Sequence, residues 1–462
     1  MGTRKQKERQ ADLWIAAQEI AETPGHVFYE RLDELLRVHR TDERVEKLCR
    51  RYYRGPYGRP SLAPSVYVRL MLIGYFEGID SERGIAWRVA DSLSLRRFIG
   101  YGLDEKTPDH STISRTRRLY WVSTHRAVFR WILKILVEEG LLRGKTVSVD
   151  ATTLEANAAL RSIVRRDTGQ SYEDYVKDLA RAEGLEEPTR EQLARFDRKR
   201  KKKGSNQEWV NPHDADARIT KMKDGRTHLA HKAEHAVDLE SGALVGLTLQ
   251  PADRGDTSTL PSTLAEAQKG LKAVGLPGVS ELVADKGYHS GEMLEQLHQE
   301  EQVRTYIAEP DRGRRNWQGK KGQQQAVYAN RGRLRGDRSK QLHRKRAELS
   351  ERSNAHMYET GGMRRLHLRG RANILKRLLL QAAAFNLALV IRNHLGHGKP
   401  RQNAGTFLRL VTTIIALGGL ARTRLALVTR YGQRFSSYRP SAVGSADVRV
   451  HTLKNGASAT GS

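Results

Sequence analysis

Thr146-Val147-Ser148-Val149-Asp150 and Leu282-Val283-Ala284-Asp285 are the two stretches on which the fold turns. Each is a short run suited to a pleated strand, and each stops at an aspartate. An aspartate after a strand is commonly a turn or helix cap. If the two strands are parallel neighbours, both acids leave the sheet at the same edge, where α/β sheets build their sites.

Outward from these runs, strand and helix patterns alternate. Residues 228–239 and 243–250 are apolar-rich and are separated by Glu240-Ser241-Gly242, so they read as a hairpin. Residues 257–272 read as a helix, 280–284 as a strand, 289–300 as a helix with Ser290 near its start, and 304–308 as a strand. This order specifies an α/β domain with a mixed sheet flanked by helices. A helix from about Lys340 to Tyr358 follows, then a strongly apolar one over 373–390 that belongs against the sheet. Upstream, residues 10–140 read as mostly helical. Phe28, Leu32, Leu35 and Leu36 recur at near-helical spacing, and Pro64 signals a helix start. Thr107-Pro108-Asp109-His110-Ser111-Thr112 reads as a turn and cap feeding a helix with Arg115, Arg117 and Arg118. The expected organisation is a helical DNA-binding domain over 1–140 and an α/β domain over 141–395 with basic insertions at 161–210 and 312–346. A basic, Gly- and Ser-rich, largely flexible tail over 396–462 completes it.

With 81 Lys and Arg against 53 Asp and Glu, the 462-residue chain carries a formal charge of +28. Such an excess opposes compaction and favours a polyanionic partner, nucleic acid first. The insertions concentrate it. Arg198-Lys199-Arg200-Lys201-Lys202-Lys203 cannot pack in a core. Residues 312–346 hold thirteen Lys or Arg against one acid, Asp337, and are expected to stay mobile until an anion orders them. The single cysteine, Cys49, excludes an intramolecular disulfide and a cysteine-cluster metal site, and fits a reducing, cytoplasmic setting. Met1–Arg9 is charged with no apolar run behind it, and the longest apolar stretches fall short of the roughly 20 residues that span a bilayer, so no membrane partner is expected. No Walker loop, dinucleotide fingerprint or Gly-x-Ser-x-Gly elbow is present, so no nucleotide cofactor is expected either. Aromatic residues, at 6%, offer no stacking platform for RNA bases.

Strand-end acids in a basic chain point toward metal-dependent cutting of a phosphodiester. That chemistry needs an activated oxygen nucleophile and charge neutralisation at the leaving oxygen, which two divalent ions roughly 3.5–4 Å apart supply. A third acid should come from a helix laid against the strand ends. The helix near 345–360 offers Glu348, Glu351 and Glu359, and spacing does not choose among them; a solvent-facing stripe of acids would look the same. His228, His231 and His235 lie in a strand pattern that turns His228 and His231 to opposite faces, which argues against a zinc site. Lys232, Lys286 and His289 are candidates for phosphate contacts beside the acids. Further DNA contacts are expected from Arg115, Arg117, Arg118, Lys199, Arg200, Lys201, Lys202, Lys203, Arg314, Arg315, Arg331, Arg333, Arg335 and Arg352.

Val147-Ser148-Val149-Asp150-Ala151-Thr152, the hairpin over 227–247, Ala284-Asp285-Lys286-Gly287-Tyr288, and Glu351-Arg352-Ser353 through His356 to Arg365 resemble bacterial insertion-sequence transposases of the DDE type. Residues 61–120, with Pro108-Asp109-His110-Ser111-Thr112-Ile113-Ser114, resemble their InsH-like helical N-terminal domain. The resemblance spans about 15–395 and leaves the tail after 400 uncovered. It implies an RNase-H-like catalytic domain in which Asp150, Asp285 and Glu351 bind two Mg2+ (or Mn2+) ions. It implies in-line attack of water at the element's end, then attack of the freed 3′ hydroxyl on target DNA, by a homodimer or higher multimer on paired ends. The expected partners are double-stranded DNA at the element ends and target DNA, in a cytoplasmic, nucleoid-associated setting. A related form of the family has an Arg four residues before that Glu and a Lys seven after; Ala347 and Tyr358 stand there, so Glu348 and Glu359 stay open. Two alternatives remain: an RNase-H-like nuclease without strand transfer, and an inactive transposase-derived DNA-binding protein. Intact acids argue against the second, because clustered carboxylates repel one another unless cations compensate.

Overall fold

A computed structural model describes residues 25–53, 61–200, 204–222, 224–311, 313 and 315–400. The expected tail beyond residue 400 lies outside them. Seven helices come first: α1 (Val27–Val38), α2 (Thr41–Cys49), α3 (Pro64–Phe76), α4 (Glu82–Ala90), α5 (Leu93–Phe98), α6 (His110–Leu119) and α7 (Val122–Glu138). Their starts follow from sequence. Pro64 opens α3, where its missing N–H removes no helical bond. The Asp109 carboxylate caps α6, accepting from Ser111 N at 2.8 Å. Helix α3 is apolar all round and buried along almost its whole length, so it forms the centre of this region.

The sheet is built from β1 (Thr146–Glu155), β4 (Arg218–Lys221), β5 (Thr227–Asp238), β6 (Leu244–Pro251), β7 (Glu281–Ala284) and β8 (Arg304–Ile307). Its order is β4-β5-β1-β7-β8, with β6 beside the second half of β5. Strand β1 is antiparallel to β5 and parallel to β7, and β7 is parallel to β8. The expected hairpin is β5–β6, and the parallel neighbours expected of the two aspartate strands are β1 and β7. An insertion between β1 and β4 holds a two-stranded ribbon, β2 (Val164–Arg165) with β3 (Trp209–Val210), and helices α8 (Tyr172–Ala182) and α9 (Arg190–Lys199).

Helix α10 (Asp256–Ala273) covers one face of the sheet. Gly246 of β6 permits the close approach: a Cβ there would lie 2.9 Å from Ala267 Cβ and from its backbone nitrogen. Helices α11 (Gly291–Gln299) and α12 (Lys321–Leu334) flank β8, and α13 (Asp337–Asn354) lies over the other face and runs into a π-helical turn, Ala355–Thr360. This mixed sheet between helices is the RNase-H-like arrangement that the resemblance implied.

The expectation of a mobile segment over 312–346 does not hold for most of it, because α12 and the first half of α13 occupy it. Composition misleads there because a few residues anchor α12. Ala326 and Val327 are buried, and the Asn330 amide pairs with both backbone groups of Ile307 on β8, at 3.2 and 2.8 Å. The last helix among the described residues, α14 (Arg371–Leu395), is buried against α7, α3 and β6. Its Asn386 side chain pairs with Leu244 N and O on β6, at 2.9 and 2.8 Å. The side chains of α3, α7, α14, α10 and the sheet join in one hydrophobic core.

Candidate active site

Register brings the two acids together, although Asp150 does not end its strand as expected. Strand β1 runs on to Glu155 because its second half stays paired with β5, and only Asp285 follows a strand end. Val149 on β1 pairs with Ala284 on β7, so Asp150 and Asp285 are the next positions on neighbouring parallel strands. The pleat turns Ser148 and Asp150 to the face under α13. There Ser148 Oγ lies 3.2 Å from Ser350 Oγ, and Asn354 Nδ2 donates to Asp150 Oδ2 at 2.9 Å. Arg346, two turns earlier on α13, holds Nη2 3.9 Å from Asp150 Oδ1. Asp285 is exposed and caps the single helical turn Lys286–Tyr288, accepting from Lys286 N at 2.8 Å. His343 faces this corner. Burial lowers its pKa and nearby Arg346 lowers it further, against the pull of Asp285.

The three candidate glutamates occupy different settings. Glu348 is exposed and ion-paired with Arg352. Glu359 lies in the π-helical turn, ion-paired with Arg364, whose other nitrogen donates to Thr152 Oγ1 at 3.1 Å. Glu351 is exposed, makes no ion pair among the described residues, and stands one turn before Asn354, on the flank of α13 that reaches Asp150. Among the described residues, no three His, Cys, Asp or Glu side chains cluster closely enough to hold a metal. The donors at Asp150 and Asp285 are hard oxygens. Beside them the buried Asn354 Oδ1 has no hydrogen-bond partner, so the chemistry of the corner suits a cation such as Mg2+.

His235, the register partner of Asp150 on β5, is fully buried. Its Nε2 lies 3.0 Å from Ser353 Oγ and its Nδ1 3.3 Å from Tyr358 OH. Burial pushes its pKa down to about 4, against the opposing pull of Asp150, so the ring is neutral at pH 7. His231 pairs instead with Asp214, and His228 with Asp224.

Burial corrects three of the expected DNA contacts, Lys232, His289 and Arg117, and others are engaged by protein partners. Lys232 is buried, and its ammonium donates to Asp256, Thr259 and the Arg254 carbonyl. His289 is buried, and so is Arg117, which pairs with Glu82. Arg315 and Arg331 both bind Glu309, Arg333 binds Thr305, and Arg200 binds Asp197. Arg115, Arg118, Lys199, Lys286, Arg335 and Arg352 are exposed. Lys201, Lys202, Lys203 and Arg314 lie outside the described residues.

Sequence reasoning missed Asn354, Arg346, His343 and His235 as neighbours of the acids. The only signal for Asn354 was its position three after Glu351. His235 was weighed only as a zinc ligand.

Residues 145–387 match a family model described as Transposase DDE domain, and residues 17–119 match one described as Transposase domain (DUF772). No curated protein matches the chain.

Proposed function

The chain belongs to the family of transposases that carry the DDE domain, and on that premise we propose that it cuts DNA at the ends of an insertion sequence and joins the freed 3′ ends to target DNA. In this reading Asp150, Asp285 and Glu351 are the reacting centre's carboxylates. The observation that carries it is the parallel pairing of β1 with β7, in which Asp150 is the next residue beside the point where β7 ends in Asp285.

Asp150 and Asp285 would hold divalent cations, with Glu351 reaching in from α13. Bound there, a pair of Mg2+ or Mn2+ ions would activate the attacking oxygen and offset charge on the leaving one. Asn354 fixes Asp150 by one oxygen and leaves the other open toward Arg346. Neutral His235, gripping Ser353 and Tyr358, holds the end of α13 in register with β1. Exposed Lys286 next to Asp285, with Arg115, Arg118, Lys199 and Arg335 elsewhere, supplies phosphate contacts, so binding weakens steeply with salt. Exchange of one phosphodiester for another of similar energy needs no nucleotide cofactor. The protein acts as a homodimer or higher multimer on paired ends.

The test is cleavage of a plasmid carrying the gene with its flanking DNA, in Mn2+, followed by strand transfer from precleaved ends. Asp285→Asn is expected to abolish cleavage while DNA binding persists. A fully active variant removes Asp285 from the reaction, and cleavage without joined product identifies a nuclease instead.

A further inference from the structure

The acids of the candidate site stand on the face of the sheet under α13. The face under α10 carries a second polar cluster that the reaction does not use. At its centre is Glu234 of β5, fully buried, whose register partner on β1 is Ala151. Three hydroxyls converge on its carboxylate. Thr259 Oγ1 and Tyr288 OH donate to Oε1, at 2.8 and 3.0 Å, and Thr263 Oγ1 donates to Oε2. Lys232 lies alongside, bonded to Asp256 and, at 3.0 Å, to Thr259 Oγ1. Burial pushes the Glu234 carboxyl up, and the hydroxyls and Lys232 pull it back.

An acid taken wholly out of water needs its donors, so each hydroxyl is held firmly. Two of the three belong to α10 and serve helix-on-sheet packing. The third does not. Tyr288 ends the single helical turn Lys286–Tyr288, and Asp285 caps that turn. Asp285 closes the start of the turn locally at Lys286 N, and Tyr288 OH ties its end to Glu234 on the sheet. Asp256 lies close to its middle, since a Cβ at Gly287 would come within 2.8 Å of Asp256 Oδ2.

We propose that Tyr288 and Glu234 are positioning residues, whose hydrogen bond across the sheet fixes the 286–288 turn and thereby aims the Asp285 carboxylate at the site it shares with Asp150. The proposal rests on the reading of Asp285 as a reacting carboxylate.

The experiment compares full-length Tyr288→Phe with Thr263→Val, because each removes one hydroxyl from Glu234 and only the first touches the turn. Three readouts are taken: thermal midpoint, backbone amide exchange over 285–289 in metal-free protein, and Mn2+-dependent plasmid cleavage. Both variants are expected to lose thermal stability, Thr263→Val the more because Thr248 Oγ1 also loses its partner at 2.6 Å. Tyr288→Phe alone speeds exchange over 285–289 and lowers cleavage by about 10–100-fold, with a higher half-saturating Mn2+ concentration. Glu234→Gln keeps an oxygen for Tyr288 and retains more cleavage than Glu234→Ala. Identical exchange and cleavage in Tyr288→Phe and Thr263→Val overturn the proposal. Asp285→Asn, assayed alongside, separates the two levels: if it is inactive while Tyr288→Phe behaves like Thr263→Val, only the positioning role falls, and if it is active, both fall.

Discussion

Glu234 and Asp150 lie on adjacent strands, offset by a single register step, and the fold treats them in opposite ways. Glu234 is sealed under α10 with three hydroxyl donors. Asp150 is half-buried under α13, accepts one amide, and has its nearest guanidinium nitrogen 3.9 Å away. The pleat alone decides which acid goes to which face. The difference teaches how to tell a structural acid from an available one: the first has its lone pairs filled by the protein, the second leaves some unfilled.

The contrast breaks most readily at the available acids. Asp150→Asn and Asp285→Asn should each reduce plasmid cleavage to background with little change in thermal midpoint; a large loss of stability instead would put these acids in the same class as Glu234. Glu351→Gln should match that loss, while Glu348→Gln and Glu359→Gln keep most activity. Loss at Glu359 alone would move the third acid into the π-helical turn. Asn354→Ala, which frees Asp150 Oδ2, should lower cleavage by about 10–100-fold while urea unfolding moves little.

On the structural side the order of effects reverses. Glu234→Ala strands three hydroxyls and should cost about 3 kcal/mol in urea unfolding, because buried donors lose their acceptor. The smallest effect is pH-dependent. Burial holds the folded-state pKa of His235 at about 4, below its ordinary 6.5. Between those values the unfolded chain takes up a proton that the folded chain refuses. The His235 contribution is thus complete above about pH 6.5 and is lost as pH falls toward 4. His125 and His356, held at about 4 by burial, add to the same slope. The measurement is therefore the difference between the parent protein and His235→Gln: the drop in urea midpoint from pH 7 to pH 5 should shrink in the variant, and an unchanged drop would mean that His235 is not kept neutral by the fold.

Much of this architecture was legible in the chain. Strands β1 and β7 announce themselves as apolar runs, and Glu240-Ser241-Gly242 marks the hairpin turn, with Gly242 at φ 77°. Charged residues inside strand β5 were harder. Lys232 looked like a phosphate contact because a lysine is ordinarily solvated, and only the fold shows Asp256 and Thr259 waiting for it across α10. Helix α12 was hidden for the converse reason: its composition is that of a mobile segment, and its order comes from the Asn330 pairing with β8, a contact between distant parts of the chain. Asn354 and Arg346 could not be assigned either, since their closeness to Asp150 depends on how α13 crosses the sheet.

Helix α14 ties the two ends of this architecture together. Near its start, Lys376 donates to the Arg117 carbonyl in α6 and the buried Arg377 to the Ile79 carbonyl just before α4; near its end, Asn386 grips β6. One buried helix thus joins the arginine-bearing helices to the sheet that carries the acids. On the proposed function, a duplex gripped at Arg115 and Arg118 would be held at a set reach from Asp150 of the same molecule. Choosing which bond is cut would then depend on how DNA bends, or on which copy in an assembly presents its acids.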